Sequence, residues 1–245
     1  MALPKLPVPT YTVKCPSGNV VTFRPFLVKE EKLLMIAMQS GDHESMVNTT
    51  QVILENCVAP YTDIKISKLP LFDVEFLFLQ LRARSIGETV KLKYACNQKI
   101  EANGESKVCG TSSEYQVNLL EITPTFGQGH EKKVILSPTM GLILQYPTFR
   151  SFQNLKRDAL TTEESFAFIS GCIESVWDEN TVYTLKDVAK AEVEEFVNSL
   201  SHKHIEAIDT FFTTMPKIEH TLKFACPKCG HKEDIVVRGL DSFFG

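Results

Sequence analysis

Four cysteines in two separated pairs are the residues whose types and spacing point most directly to chemistry. Cys226 and Cys229 form a Cys-x-x-Cys motif within "TLKFACPKCGHKED", a pattern typical of half of a zinc site. Structural zinc takes four ligands, so a second pair is required. Cys96 and Cys109 are the candidates for it, because the segments around the two pairs resemble each other.

The two segments form an internal repeat, with residues 90–120 as the first copy and residues 220–240 as the second. "LKYAC" in the first copy corresponds to "LKFAC" in the second, and each second cysteine is followed by glycine. Each copy has the pattern of a strand, a cysteine-bearing turn and a second strand. Two such hairpins with facing tips would form a tetrahedral Cys₄ cage, the arrangement of a zinc ribbon. The sequence therefore predicts structural Zn²⁺ at Cys96, Cys109, Cys226 and Cys229.

The separation of the two pairs gives the metal an architectural role. About 116 residues lie between Cys109 and Cys226, and closing such a loop costs roughly 4 kcal/mol of chain entropy plus a constant. Structural zinc contributes on the order of 10–16 kcal/mol in small peptides. A zinc ion could therefore offset the loop closure and join the C-terminal hairpin to the middle of the chain.

Several alternatives stay open for the cysteines. The thiols could be unmetallated, or the site could be partly lost in the first copy, where twelve residues separate the pair instead of two. His220 and His231 are reserve ligands, although each is more typical of a solvated strand residue. The remaining cysteines lie in apolar or turn contexts and are interpreted as packing residues: Cys15, Cys57 and Cys172.

The other motifs in the chain do not indicate an enzyme. Four thiolates leave no open coordination position for water, as a catalytic zinc needs. His-Glu-x-x-His, a Walker phosphate loop and Gly-x-Ser-x-Gly are all absent from the sequence, and "GQGHEKK" at 127–133 is interpreted as a surface loop. We therefore predict no catalytic residue and no small-molecule substrate. A pocket built from residues distant in sequence is the enzymatic alternative.

Composition and charge describe an ordinary globular chain of 245 residues. The formal net charge is −4, with 43% apolar and 23% charged residues. The longest apolar run, "VEFLFLQL", is too short to span a membrane, and the first residues lack the apolar core of a signal peptide. Seven cysteines without an export signal favour reduced thiols in a cytosol-like compartment.

Binding to nucleic acid is the main alternative function, because zinc ribbons often contact it. Lysines occur in both hairpins, but acidic residues are interleaved with them and no aromatic platform lies on the loops. We therefore predict no nucleic-acid partner, with a zinc-ribbon nucleic-acid-binding protein kept as the alternative.

Hydrophobic periodicity predicts an α+β fold in which a helical middle is bracketed by β-hairpins, with the split Cys₄ zinc ribbon formed by two distant hairpins. A helix over "VKEEKLLMIAMQSG" places Leu33, Leu34, Ala37 and Met38 on one face and stops at Gly41. A helix opened by Thr161 and Glu164 continues through Val176, and Thr184 with Asp187 forms a weaker capping box.

The predicted segments are an N-terminal hairpin plus helices (1–87), the first ribbon hairpin (88–122), a mainly helical region (123–216) and the second ribbon hairpin packing on the first (217–245).

Two pairs of phenylalanines are candidate partner-binding residues. Phe23 and Phe26 flank Pro25, which limits strand pairing. Phe243 and Phe244 are adjacent in the closing segment, so on a strand they point to opposite sides and one is left for a partner.

Together these segments resemble a known family. The proline-rich start followed by "VTFRPFLVKEEKLLMIAMQSG", the segment "LPLFDVEFLFLQLRARSIGE", the paired cysteine hairpins and the closing "GLDSFF" are similar to the baseplate hub and hub-assembly proteins of T-even-like contractile-tailed phages. The resemblance covers about the first 120 and the last 30 residues best. The helical middle matches only in general character.

This resemblance implies a non-enzymatic role in building the hub of the tail baseplate. The implied partners are other phage baseplate hub or tail proteins, with a homo-oligomer left open. The implied location is the cytoplasm of the infected bacterium during late assembly, and the virion tail baseplate if the protein is retained there. The residues do not separate a retained hub subunit from a transient assembly factor.

Overall fold

The protein is a mixed α/β chain with several small antiparallel sheets, as seen in a computed structural model that describes residues 6–102, 105–153 and 161–239. The strands are β1 (Tyr11–Lys14), β2 (Val20–Phe23), β3 (Thr89–Ala95), β4 (Lys99–Ala102), β5 (Glu105–Val108), β6 (Ser112–Asn118), β7 (Lys133–Ser137), β8 (Met140–Leu144), β9 (Ile173–Trp177), β10 (Val182–Thr184), β11 (Glu219–Ala225) and β12 (Lys232–Arg238). The α-helices are α1 (Val28–Ser40), α2 (His43–Val58), α3 (Leu71–Ser85), α4 (Phe149–Gln153), α5 (Thr162–Gly171), α6 (Lys190–Asn198) and α7 (His202–Thr214). Short 3₁₀ turns occupy Ile66–Lys68, Leu119–Glu121 and Leu185–Asp187.

The chain divides into two compact units, and neither is continuous in sequence. Unit 1 consists of Met1–Ile64, Glu75–Thr125 and Ile218–Gly245. Unit 2 consists of Lys65–Val74 and Phe126–Lys217. Unit 1 therefore contains both cysteine-bearing segments, although the whole of residues 126–217 lies between them in sequence.

A buried ion pair fixes the start of α1 in unit 1. β1 and β2 form the predicted hairpin, and Arg24 follows it directly. The Arg24 guanidinium donates to the Glu30 carboxylate at 2.9 Å, while the Leu27 backbone N–H donates to the same carboxylate at 2.8 Å. Burial alone would raise the pKa of Glu30, but these hydrogen bonds outweigh it and hold the pKa below its ordinary value. Glu30 consequently points inward as a carboxylate.

The inward position of Glu30 corrects the predicted orientation of α1. Glu30, Leu34 and Ala37 are buried, whereas Leu33 and Met38 are 42% and 40% exposed. The helix is therefore rotated relative to the prediction, because its charged first turn is held against Arg24. Its predicted end is confirmed, since Gly41 adopts the left-handed backbone conformation that favours glycine.

Unit 2 is built on a four-stranded antiparallel sheet in the order β10-β9-β8-β7. Its core combines this sheet with α6 and α7, through residues that include Leu142, Ile173, Val197, Ile208 and Phe211. The predicted helix through Val176 was wrong in its second half. The Thr161–Glu164 capping box forms as expected, but α5 ends at Gly171 and β9 follows immediately.

The Thr184–Asp187 capping box was also wrong. Thr184 makes no side-chain cap hydrogen bond, and the residues after it form only the Leu185–Asp187 3₁₀ turn. The next α-helix, α6, begins at Lys190.

The loop at 127–133 is anchored by His130. The His130 ring lies 2.9 Å from both the Thr214 hydroxyl, through Nδ1, and the Tyr146 hydroxyl, through Nε2. Burial and the neighbouring Lys132 lower the pKa of His130, which favours the neutral ring in this network. The loop is therefore held to unit 2 by specific contacts.

Candidate metal centre

The two cysteine-bearing hairpins have the same strand register. In the first, β3 pairs with β6 so that Leu92 lies opposite Tyr115. In the second, β11 pairs with β12 so that Leu222 lies opposite Ile235. These are the positions that the sequence repeat equates, so the two copies superimpose strand for strand in their pairing.

The turns that carry the cysteines also share their backbone hydrogen bonds. In each hairpin the N–H of the first cysteine donates across the turn, and the N–H of the glycine after the second cysteine donates back to the first cysteine. Both glycines have positive φ, 64° at Gly110 and 73° at Gly230, which suits glycine. The four bonds are Cys96 N to Thr111 O (3.0 Å), Cys226 N to His231 O (2.8 Å), Gly110 N to Cys96 O (3.0 Å) and Gly230 N to Cys226 O (3.0 Å).

The twelve residues between Cys96 and Cys109 do not separate these two side chains. Strands β4 and β5 pair within this insertion and form a small hairpin of their own. The Cys109 N–H then donates to the Gln98 carbonyl at 2.8 Å, which closes the base of the insertion. The long first loop therefore presents its cysteines in the same way as the short Cys-x-x-Cys turn.

The four sulfur atoms converge in one cluster. All lie within 4.8 Å of one another, with 3.7 Å between the sulfurs of Cys96 and Cys229 and 3.7 Å between those of Cys109 and Cys226. Cys96, Cys109 and Cys226 are buried and Cys229 is half-buried. A tetrahedron with Zn–S bonds of about 2.3 Å has S···S edges of about 3.8 Å, so the cluster has the size that zinc requires.

Backbone N–H groups point at each sulfur from two residues further along the chain. Each of these N–H groups lowers the pKa of the sulfur it faces, because it partly compensates a negative sulfur, whereas burial acts in the opposite direction. The hydrogen bond from the Cys229 backbone lowers the pKa of the Cys226 thiol to about 6. Burial raises the pKa of Cys96 to about 12. The donors two residues along are the backbone N–H groups of Gln98, Thr111, Lys228 and His231.

Thr111 makes a further contact that the sequence repeat could not reveal. Its hydroxyl lies 3.3 Å from the Cys109 sulfur, in addition to its backbone contact. The second hairpin has His231 at the equivalent position, and its ring lies 3.5 Å from the Glu233 carboxylate. His231 is thus engaged outside the sulfur cluster.

Aromatic residues join the two hairpins beside the cysteines. The buried ring of Phe224 packs edge-on against Tyr94 at 4.8 Å and also contacts Tyr115 at 6.2 Å between ring centroids. The Tyr94 hydroxyl donates to the Glu233 carboxylate of the other hairpin. These contacts pack the two hairpins against each other next to the cysteine cluster.

The outward faces of both hairpins carry opposite charges in direct register. Lys93 lies opposite Glu114 in the first hairpin, and Lys223 lies opposite Asp234 in the second. Lys91 also reaches Glu114 at 3.3 Å. Such a face lacks the uninterrupted positive charge that phosphate backbones favour.

The candidate partner-binding residues have different positions. Phe23 is 1% exposed and Phe26 is 7% exposed, so both rings are largely buried. Phe26 also lines a surface depression with Leu27 and Ile86, and the partner-binding role of both phenylalanines stays a prediction. Phe243 and Phe244 lie outside the described residues, and their role stays a prediction. The three cysteines interpreted as packing residues, Cys15, Cys57 and Cys172, are buried.

The chain belongs to the family described as T4 bacteriophage base plate protein, whose model matches residues 8–245. This confirms the resemblance drawn from the sequence. Among curated proteins, the Baseplate hub assembly protein gp26 of Enterobacteria phage T4 is 24% identical to this chain over 227 residues, which cover 93% of each protein. No solved structure matches the chain. None of the helices in the described residues has the length and apolar character to cross a membrane.

Proposed function

We propose that this protein is a non-enzymatic structural or assembly protein of the phage tail baseplate hub. The observation that carries this proposal is the similarity to a hub assembly protein over 93% of both chains, together with membership of the base plate family. The proposal places the protein in the cytoplasm of the infected bacterium during late assembly, where it contacts other hub or tail proteins. A protein retained in the particle would also be found in the virion tail baseplate.

We further propose a structural zinc at Cys96, Cys109, Cys226 and Cys229, which makes residues 88–122 and 217–245 two halves of one split ribbon. The convergence of four sulfurs within 4.8 Å supports it, as do the matching N–H donors in both hairpins. Four cysteine ligands complete the tetrahedral coordination of zinc and leave no position for a reacting water. The metal would therefore join distant parts of the chain and take no part in a reaction.

The role is tested by affinity purification of the tagged protein from infected cells at the time of tail assembly, with mass spectrometry of the associated proteins. Recovery of other baseplate or tail proteins supports the proposal. Enrichment of nucleic acid or of metabolic enzymes contradicts it. Comparing the amount of the protein in purified particles with that in lysate distinguishes a retained subunit from a transient factor.

The metal is tested separately on the purified chain by native mass spectrometry. One zinc per chain is expected, and a chelator should remove it. Hydrogen exchange should then show that the β11 amides lose their protection when the zinc is removed. A chain that folds with full protection and no metal would contradict the zinc proposal and leave the baseplate role untouched.

A further inference from the structure

Cys229 differs from every other cysteine of the chain in its access to solvent. All seven cysteines lie within the described residues; six of them are buried, whereas Cys229 is half-buried. Cys96 is 0% exposed and Cys226 is 4% exposed, although both belong to the same cluster. A dissolved reagent therefore reaches the cluster most readily at Cys229.

The sulfur of Cys96 lies beside this accessible sulfur. The two atoms are 3.7 Å apart, although they come from different hairpins and are 133 positions apart in sequence. Since a disulfide bond is about 2.05 Å long, the sulfurs must approach by less than about 2 Å to bond. The sulfurs of Cys109 and Cys226, also 3.7 Å apart, likewise belong to different hairpins.

The backbone of the second turn holds Cys226 and Cys229 in a fixed arrangement. The Gly230 N–H donates to the Cys226 carbonyl at 3.0 Å, and the Cys226 N–H donates to the His231 carbonyl at 2.8 Å. A bond between Cys226 and Cys229 would have to form inside this hydrogen-bonded turn. A bond between Cys96 and Cys229 needs only a small movement of one hairpin toward the other.

We propose that Cys229 is the peroxide-reactive cysteine of the cluster and Cys96 its resolving partner, so that oxidation replaces the metal by a covalent link between the hairpins. This inference concerns the regulation of the metal site and rests on the structural zinc proposed above. Thiols that coordinate zinc are deprotonated, so all four cysteines are thiolates in the loaded site. Access to the oxidant therefore decides which of them reacts first.

Two successive displacements give the disulfide. The Cys229 thiolate attacks one oxygen of hydrogen peroxide, the O–O bond breaks and hydroxide leaves, which makes Cys229 a sulfenic acid. The Cys96 thiolate then attacks the Cys229 sulfur, the S–S bond forms, and the S–O bond breaks with loss of a second hydroxide. Two protons from solvent convert the hydroxides to water. The two sulfurs lose two electrons in total, and the peroxide gains them.

The disulfide removes two of the four ligands from the metal but keeps the hairpins joined. Cys96 lies in the first hairpin and Cys229 in the second, so the new bond connects the same two segments as the metal. Chelation of the zinc leaves no such bond between them. A hub protein retained in the particle would pass from a reducing cytoplasm to an oxidising medium, where the disulfide would preserve this connection.

The test treats the zinc-loaded full chain with a small molar excess of hydrogen peroxide and follows its zinc content by native mass spectrometry. Free thiols are then alkylated and the chain is digested without reduction. Trypsin cleaves after lysine and places Cys96, Cys226 and Cys229 in three different peptides, 94–99, 224–228 and 229–232. Peptide 94–99 joined to peptide 229–232 should appear as zinc is lost.

Hydrogen exchange tests whether the disulfide takes over the role of the metal. The β11 amides should stay protected in the oxidised, zinc-free chain and lose protection in the chain stripped by a chelator. Loss of protection in both chains would overturn the proposal. A Cys226–Cys229 bond as the first product would also overturn it, as would oxidation of Cys229 to higher acids without a disulfide.

A variant tests the part played by Cys229. Cys229→His removes the accessible thiol and supplies another kind of zinc ligand. Under peroxide, its remaining cluster thiols should be lost more slowly than in the wild type by roughly tenfold or more, because they are buried. Cys172→Ala is the matched control, since it removes a buried thiol of unit 2 and should leave the wild-type rate.

Circular dichroism should show both variants folded, and the wild-type peptide map needs neither of them. Equal rates of thiol loss in Cys229→His and the wild type would overturn the proposal. A wild-type chain that binds no zinc fails at the loading step, before peroxide is added. That result would contradict the zinc proposal and this inference with it, whereas a wrong disulfide in a zinc-loaded chain would contradict this inference alone.

Discussion

The sulfur atoms of Cys109 and Cys226 lie 3.7 Å apart, although 117 positions separate these residues in the chain. The same hairpin register and the same turn hydrogen bonds on both sides produce this approach. The two copies of the internal repeat therefore form equivalent hairpins, and these hairpins meet at their cysteines.

Replacing Cys226 by serine should abolish zinc binding. A serine hydroxyl is a poor zinc ligand, and three thiolates do not complete the site. Native mass spectrometry should show one zinc in the wild-type chain and none in the variant, with a lower melting temperature. Cys172→Ala is the control, because Cys172 is buried in unit 2 whereas the four clustered cysteines belong to unit 1. This variant should still bind one zinc. Full zinc occupancy in Cys226→Ser would contradict the ligand assignment.

Replacing Phe224 by alanine should destabilise the paired hairpins by about 3–5 kcal/mol, the usual cost of removing a buried aromatic ring. Phe224 is 2% exposed and packs against Tyr94 and Tyr115 of the other hairpin. Urea denaturation measures the loss, and hydrogen exchange of the β3 and β11 amides locates it. Phe224→Leu should cost much less, under about 1.5 kcal/mol if the site repacks. Equal costs for the two variants would argue against a packing role.

Replacing Arg24 by methionine should destabilise unit 1 by about 3–5 kcal/mol at pH 7, because it leaves the buried Glu30 carboxylate without its main partner. Arg84→Met is the control. Its ion pair with Glu88 is exposed and should contribute at most about 1 kcal/mol.

The same substitution should reverse the pH dependence contributed by Glu30. In the wild type the pKa of Glu30 is lowered, so its contribution is complete above the unfolded pKa of about 4.3 and is lost as the pH falls through the folded value. Without Arg24, burial should raise the pKa of Glu30, and acidification from pH 7 to pH 5 should then recover stability. Urea denaturation of both proteins at the two pH values checks this sign. If the stability of the wild type and of Arg24→Met fell equally from pH 7 to pH 5, the predicted change of sign would be contradicted.

Replacing Gly141 by alanine should destabilise unit 2 by about 1–3 kcal/mol through overpacking. A Cβ atom there would lie 2.4 Å from the Trp177 ring and 2.5 Å from the Val134 carbonyl. Thermal unfolding followed by Trp177 fluorescence measures the effect. At Gly171 an added Cβ meets nothing within 4 Å, so Gly171→Ala should change stability by less than about 0.5 kcal/mol. Similar effects at both glycines would contradict the packing argument.

Local patterns were sufficient to predict the features that depend on neighbouring residues. The N-terminal hairpin, the end of α1 at Gly41 and the Thr161–Glu164 capping box each depend on a few adjacent residues, and all three form. The cysteine pairing was predictable for a different reason. The repeat preserves side-chain alternation, so equivalent strands must present equivalent residues at equivalent turns.

Contacts between distant residues decided the rest. Helical periodicity in α1 predicts an apolar side and a polar side of the helix. The buried Arg24–Glu30 ion pair determines which side faces the protein interior. Strand β9 resembles the continuation of a helix in sequence, yet pairing with β8 makes it a strand because that pairing satisfies its backbone groups. The same limit applies to Phe23 and Phe26, whose exposure depends on packing against segments far along the chain. The ion pair, the strand pairing and the burial of these rings all form between segments that are distant in the chain. They therefore leave no local periodic signal in the sequence.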